Sequence, residues 1–84
     1  MSVTRIIKRY SNRKLYDTKD SRYVTLDQIA VMVRSGDEVR VVENNTRLDL
    51  TGATLAQIVF EEERRQAHLS IDGLRRIIRE GLPG

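Results

Sequence analysis

Residues 13–36, RKLYDTKDSRYVTLDQIAVMVRSG, contain the clearest structural signals in this chain. Segments 14–17 and 22–25 are rich in aromatic and β-branched residues, which favour strands. Between them, residues 18–21 form a cluster of turn-forming types. The pattern predicts a β-hairpin over residues 13–25 with a short loop at its tip.

A helix is predicted directly after this hairpin. Thr25 and Gln28 have the spacing of a capping box, in which each side chain bonds the other residue's backbone N–H. Gly36 provides a left-handed stop at the far end. The apolar positions between them recur at helical spacing: Leu26, Ile29, Ala30 and Val33.

The flanking segments extend this pattern in both directions. Thr4–Arg9 contains two adjacent isoleucines and is predicted as a short strand or an extended arm. Residues 38–43 and 47–50 are predicted as the strands of a second hairpin, with a turn at residues 44–46.

Two helices are predicted in the C-terminal part. Thr51 or Thr54 begins the first, and Thr54 forms a possible capping box with Gln57. Ser70 caps the second, over residues 71–80. We therefore expect a small single α+β domain with this order: N-terminal arm and β-hairpin, helix, second β-hairpin and two C-terminal helices.

The 84 residues suffice for one small domain, and their charge is unevenly distributed. Residues 1–23 contain seven basic and two acidic side chains, whereas the remainder contains eight basic and ten acidic ones. This asymmetry favours a polyanionic partner. The alternative is a solvated basic arm that promotes solubility.

The sequence contains no recognisable catalytic constellation. It has no cysteine and one histidine, His68, in a polar stretch without triad partners. The glutamates at 61–63 point around a helix next to Arg64 and Arg65, as on a solvated surface. We expect no enzyme activity, no cofactor, no metal and no membrane span, and a cytoplasmic location.

The best candidate for function is a basic and aromatic stretch near the N-terminus. Lys and Arg neutralise phosphates, Arg and Asn can read base edges, and a two-stranded ribbon fits the major groove. The tyrosines either stack on bases or pack the hairpin against the first helix. The candidate DNA-binding residues are Lys8, Arg9, Tyr10, Asn12, Arg13, Lys14, Lys19 and Arg22.

Three linked blocks resemble the N-terminal domain of bacterial polyhydroxyalkanoate synthesis repressors, also called polyhydroxyalkanoate accumulation regulators. They are KRYSNRKLYDT at 8–18, SRYVTLD at 21–27 and LTGATLAQI at 50–58. The resemblance covers residues 6–63 and weakens after residue 66. It implies a DNA-binding transcriptional regulator, a repressor, of storage-polyester metabolism. Within the matching block, Asn12 and Thr18 have an alternative role in holding turns.

In this family, regions beyond the N-terminal domain are associated with oligomerisation and polymer granules. We therefore expect residues 1–69 to form the DNA-binding domain. Residues 70–84 are expected to form an oligomerisation helix or the start of a longer region. The partners expected are double-stranded DNA, a second copy in a homodimer or higher homo-oligomer, and polymer through regions beyond this chain. The residues expected to mediate self-association are Ile71, Leu74, Ile77 and Ile78.

Two other functions remain open from the sequence. An oligomeric assembly module, for example at a polymer granule surface, would use helix 71–80, and the basic N-terminus would then serve for solubility. RNA binding through the tyrosines would be a third function, but the chain has no recognisable RNA-module signature.

Overall fold

The computed structural model describes residues 3–66 and 70–81. In this part of the chain, four strands form one mixed sheet in the order β3-β2-β1-β4, and the fold class is α+β as predicted. The elements are β1 (Thr4–Arg9), β2 (Leu15–Asp17), β3 (Arg22–Val24), α1 (Leu26–Arg34), β4 (Glu38–Glu43), α2 (Thr51–Gln66) and α3 (Ile71–Glu80).

Strand β1 lies in the middle of the sheet. It pairs antiparallel with β2 and parallel with β4, so the strand interpretation of its sequence is correct and it is not a detached arm. The predicted hairpin of β2 and β3 is confirmed. Because β1 and β2 also form a hairpin, the basic segment folds as a three-stranded meander.

The core lies between one face of this sheet and helices α1 and α2. Alternate residues of the strands point into it, among them Ile7 and Val41, which are fully buried. Ile29 of α1 and Ile58 of α2 pack in the same cluster. The opposite face of the sheet carries the other half of the alternating side chains, and we call it the open face.

Helix α1 begins and ends as its sequence predicts. The Gln28 N–H donates to Thr25 Oγ1 at 3.2 Å, and the Thr25 N–H donates to Gln28 Oε1 at 2.8 Å. At the other end Gly36 has φ 95°, a left-handed conformation that suits glycine. The Asp37 N–H then bonds Met32 O at 3.1 Å and closes the helix.

The second predicted hairpin is wrong in its second strand. Residues 47–50 form no strand, and the pairing is reduced to one antiparallel bridge between Val42 and Asp49. The cause is a tight turn in which the Glu43 carboxylate accepts the Asn45 and Thr46 N–H groups at 2.9 and 2.6 Å. The chain then enters α2 before a ladder can form.

Helix α2 begins at Thr51, but neither predicted threonine caps it. Asp49 Oδ1 accepts the Thr51 N–H at 2.8 Å, while Thr51 Oγ1 accepts the Val41 N–H at 2.8 Å and so fixes the helix to β4. Thr54 lies within the helix, where its hydroxyl donates to Leu50 O at 2.7 Å. Asp49 lies in a segment with a strand-like pattern, so the sequence does not mark it as the residue that bonds the start of α2.

Helix α3 has the predicted bounds and contains no buried residue. Ser70 caps it by accepting the Gly73 N–H at 3.0 Å, and Gly81 ends it. His68, considered above as an inert histidine, lies outside the described residues.

Candidate nucleic-acid interface

The tip of the β1–β2 hairpin is a tight loop of Ser11, Asn12 and Arg13. The Arg13 N–H donates to Tyr10 O at 2.9 Å and the Tyr10 N–H donates to Lys14 O at 3.0 Å. Asn12 Oδ1 accepts the Lys14 N–H at 3.1 Å, so this side chain holds the turn. Its NH₂ group makes no hydrogen bond to a described residue and can still donate to a ligand.

Arg13 has φ 67°, which is uncommon for a residue with a side chain. Three-residue hairpin loops place a left-handed residue at this position, and glycine is the usual choice. The sequence has arginine there instead. Backbone strain of this kind concentrates at functional positions, so the site favours a role for the side chain itself.

Strand register divides the candidate residues between two faces. Leu15 points into the core, which places Lys14 and Tyr16 on the open face. Lys8 pairs with Tyr16 and therefore lies on the open face too. The Lys14 ammonium lies 5.3 Å from the Tyr23 ring centroid, a cation–π distance.

Three tyrosines form one cluster on the open face. The rings of Tyr16 and Tyr23 are edge to face at 5.3 Å, and Tyr10 lies 6.4 Å from each. The rings therefore pack against one another and not against α1, which differs from the packing expected above. Tyr23 is 58% exposed, so part of the cluster is open to a ligand.

The remaining candidates lie elsewhere. Arg9 and Arg13 line a pocket on the helix side of the hairpin. Lys19 and Arg22 lie at the other end of β2, and three strand residues separate the two ends by about 10 Å. The eight predicted residues thus form one group at the hairpin tip and one separate pair, Lys19 and Arg22.

Within the described residues none of these cations is held in a close ion pair, although Asp20 lies near Lys19 and Arg22, and Glu43 lies near Arg9. Throughout residues 3–66 and 70–81, no ion pair joins a carboxylate to Lys8, Arg9, Arg13, Lys14, Lys19 or Arg22. Six basic side chains on one small meander consequently remain available for an anionic partner.

Arg5 is the contrasting case within the same segment. Its guanidinium bonds Asp17 Oδ2 at 2.7 Å, Asp20 Oδ2 at 3.0 Å and Asp37 Oδ2 at 2.7 Å. The bond from Arg5 is the main reason that the pKa of Asp20 is lowered. Since Asp17 is fully buried, this cluster has a structural role.

Two cations near the site were missed from the sequence. Arg40 pairs with Ile6 across β1 and β4, which places it on the open face, where Glu38 and Asp49 are 3.7 and 3.5 Å away. Arg47 lies in the turn after β4, next to the end of β1, because the Asn44 N–H bonds Arg9 O at 2.9 Å. Both positions depend on the parallel pairing of β1 with β4, for which the sequence gives no local signal.

Residues 6–66 match the family described as "PHB/PHA accumulation regulator DNA-binding domain". The chain belongs to this family. The three-stranded meander and α1 therefore form the N-terminal part of a DNA-binding domain. The matched range ends with α2, so α3 lies beyond it.

Two curated relatives are similar over most of this chain. An uncharacterized protein of Allochromatium vinosum is 45% identical over 80 residues, covering 94% of this chain and 52% of its own. A protein of Thiocystis violacea, described as an uncharacterized protein in the phbA 5' region, is 44% identical over 63 residues, covering 75% and 46%. The chain spans about half the length of these relatives. No solved structure matches.

The residues predicted for self-association lie on α3. Ile71 is 69% exposed and Ile78 is 85% exposed, while Leu74 and Ile77 are partly covered. A second apolar surface lies between α1 and α2, which we call the α1–α2 groove, lined by Ala30, Val33, Arg34, Leu55, Ile58, Val59 and Glu62.

Two kinds of feature are absent from the described residues. None of the helices within residues 3–66 and 70–81 has the length and apolar content needed to cross a membrane. The same ranges contain no cluster of three or more His, Asp or Glu side chains arranged to hold a metal ion.

Proposed function

We propose that this chain is a homo-oligomeric transcriptional repressor of polyester-storage genes that binds duplex DNA through the β1–β2 hairpin. The observation that carries the proposal is the concentration of basic side chains on this hairpin without acidic partners in the described structure. Membership of a DNA-binding family supports it, as does a relative located in the phbA 5' region.

The hairpin provides two kinds of contact. Lys8 and Lys14 point from the open face and neutralise phosphates, and the tyrosines beside them contact the sugar–phosphate backbone. Asn12 and Arg13 at the tip have the donors needed to reach phosphates or base edges in a groove. Lys19 and Arg22 extend the contact along the duplex.

Salt-dependent binding of the Lys8→Gln, Lys14→Gln double variant tests this proposal. Each lost phosphate contact lowers the slope of log affinity against log salt by about 0.9, so we expect a decrease of about 1.8 for each bound subunit. Arg64→Gln is the control for loss of a positive charge away from the hairpin, because it removes a charge from α2, where Arg64 pairs with Glu61. Equal slopes for the double variant and the wild type would contradict the proposal.

Self-association places the α3 of one copy in the α1–α2 groove of another. The apolar stripe from Ile71 to Ile78 and the groove side from Leu55 to Glu62 each span seven helical steps, about 10.5 Å. Glu62 lies at one end of the groove, where it pairs with Arg34. The apolar stripe of α3 and the apolar groove therefore match in length, which supports this mode of assembly.

Sedimentation measures this association. We expect Ile78→Asp on α3 and Val59→Asp in the groove each to convert the oligomer to monomer, because either substitution places a charge in an apolar contact. Glu80→Gln, at an exposed position of α3 outside the apolar stripe, is the control. An unchanged sedimentation coefficient for both aspartate variants would exclude this mode of assembly, and a monomeric wild type would favour docking of α3 within its own chain.

The exposed stripe of α3 also favours a second candidate function, an assembly module at a polymer granule surface. Selection of bound duplexes from a random pool separates the two functions. An enriched palindrome is expected for a two-fold symmetric regulator, and no enrichment for an assembly module. Under the leading proposal the protein acts in the cytoplasm without catalysis, and contact with the polymer is made by regions beyond this chain.

A further inference from the structure

A pocket on the helix side of the hairpin is lined by basic side chains that do not lie on the open face. It lies between the β1–β2 hairpin, the first residue of α1 and the first half of α2. Six residues line it: Arg9, Arg13, Leu15, Leu26, Thr54 and Gln57. No local sequence pattern groups these residues, since they come from β1, the hairpin loop, β2, α1 and α2.

The pocket is rich in unused hydrogen-bond donors. The guanidinium groups of Arg9 and Arg13 make no hydrogen bond or ion pair with any residue in the described ranges, and neither does the Gln57 amide. Each guanidinium has five N–H groups in a planar fork, the geometry that fits two oxygens of one anion. The Thr54 hydroxyl donates to Leu50 O, so the available donors are the two arginines and Gln57.

Glu43 lies opposite Arg9 in the sheet register, but it does not line the pocket. It pairs with Arg9 across β1 and β4. Its side chain turns away to accept the Asn45 and Thr46 N–H groups, and it makes no ion pair with Arg9. The Thr46 N–H bond is the main reason that the pKa of Glu43 is lowered, and the charge of Arg9 adds to it, so Glu43 offsets part of that charge while the Arg9 N–H groups remain unbonded.

The structure also fixes the backbone at the Arg13 side of the pocket. Arg13 is held with φ 67° by the Tyr10 carbonyl and by the Asn12 side chain, which orders the next residue. Leu15 and Leu26 form the apolar side of the pocket.

We infer that this pocket binds a phosphate-type oxyanion between Arg9 and Arg13, with Gln57 as a third donor. Two sources provide that chemistry: a backbone phosphate of bound DNA or a free phosphorylated small molecule. The inference rests on the proposed function only for the first source. In that case the hairpin tip contacts the duplex on both of its faces.

NMR titration of the whole chain with inorganic phosphate at constant ionic strength tests the inference. The probes are the Arg Nε–H and Gln57 side-chain amide resonances. We expect saturable shifts of these resonances in the wild type and in Arg64→Gln, which removes the same charge elsewhere. In Arg9→Gln we expect affinity to fall about tenfold or more, since a hydrogen bond to a charged group contributes about 1.5–3 kcal/mol. Backbone amides of Leu15 and Val24 report that the variant is folded.

A second titration, with duplex DNA, identifies the source. If the duplex shifts the same resonances and phosphate competes with it, the oxyanion is a DNA phosphate. If phosphate binds while the duplex leaves these resonances unchanged, the ligand is a free phosphorylated molecule. The inference is overturned if neither shifts them, or if folded Arg9→Gln binds phosphate as tightly as Arg64→Gln. Loss of duplex binding in the Lys8→Gln, Lys14→Gln variant tests the proposed function separately, because neither lysine lines the pocket.

Discussion

Replacing Arg13 by glycine should raise the stability of the domain and lower its affinity for DNA, so the variant distinguishes the fold from the function. Arg13 occupies a left-handed position with φ 67° at the hairpin tip, where glycine is conformationally better. Its guanidinium is proposed to bind a phosphate. The substitution therefore improves the turn while removing the contact.

The stability change can be worked from the backbone geometry. A left-handed conformation costs a residue with a side chain about 1–2 kcal/mol. The additional flexibility of glycine in the unfolded chain offsets about 0.5–1 kcal/mol of this gain. We expect Arg13→Gly to be more stable by about 0.5–1 kcal/mol, which raises the melting temperature of a domain of this size by about 2–8 °C.

The same variant should bind DNA less tightly and with a weaker salt dependence. Loss of one phosphate contact lowers the slope of log affinity against log salt by about 0.9. Since a hydrogen bond to a charged group contributes about 1.5–3 kcal/mol, affinity should fall about tenfold or more.

Thermal melting and fluorescence anisotropy with labelled duplex measure the two effects. Ser21→Gly is the control for strain, because Ser21 has φ 53° in the β2–β3 loop and no charge is removed. A lower melting temperature for Arg13→Gly would refute the account of the turn. A salt slope equal to that of the wild type would refute the phosphate contact of Arg13.

Three further predictions concern stability. Thr25→Ala removes the capping side chain of α1 and should lower the free energy of unfolding by about 1 kcal/mol in urea titrations, with Thr4→Ala on an exposed strand position as the control. Arg5→Met leaves the buried Asp17 carboxylate without its cation, so we expect it to lower the free energy of unfolding much more than Arg64→Gln does. Adding Asp17→Asn should restore part of this loss, and equal losses in Arg5→Met and Arg64→Gln would contradict the prediction. Backbone N–H bonds lower the pKa of Glu43, so its stabilising effect is present above its unfolded pKa of about 4.3 and is lost as the pH falls through the lower folded value. Urea titrations from neutral pH to below pH 4 should show a shallower decline for Glu43→Gln, and an unchanged decline would refute this.

Local signals explain most of what the sequence predicted correctly. The Thr25–Gln28 capping box and Gly36 define α1 within a few residues, because caps act on neighbouring backbone groups. The β2–β3 hairpin was likewise marked by turn-forming residues. Both elements depend on short-range interactions.

One feature that was not predicted depends on a distant segment, and the other depends on local side-chain bonds. The central position of β1 depends on parallel pairing with β4, which begins only after α1. Residues 47–50 have a strand-like pattern, yet the bonds of Glu43 and Asp49 turn them into the entry of α2.

The candidate site shows the same division. Lys8 and Lys14 were identified from composition. Their separation from Arg9 and Arg13 onto two faces follows only from the strand register.

The placement of β1 has a consequence for deletion experiments. The basic residues of Thr4–Arg9 could be mistaken for a flexible tail and deleted. However, Ile7 is fully buried, and β1 pairs with both β2 and β4. Trimming the first nine residues would split the sheet and expose two new strand edges prone to aggregation. Loss of DNA binding after such a truncation would therefore report an unfolded protein, and only single side-chain substitutions can measure what the cations contribute.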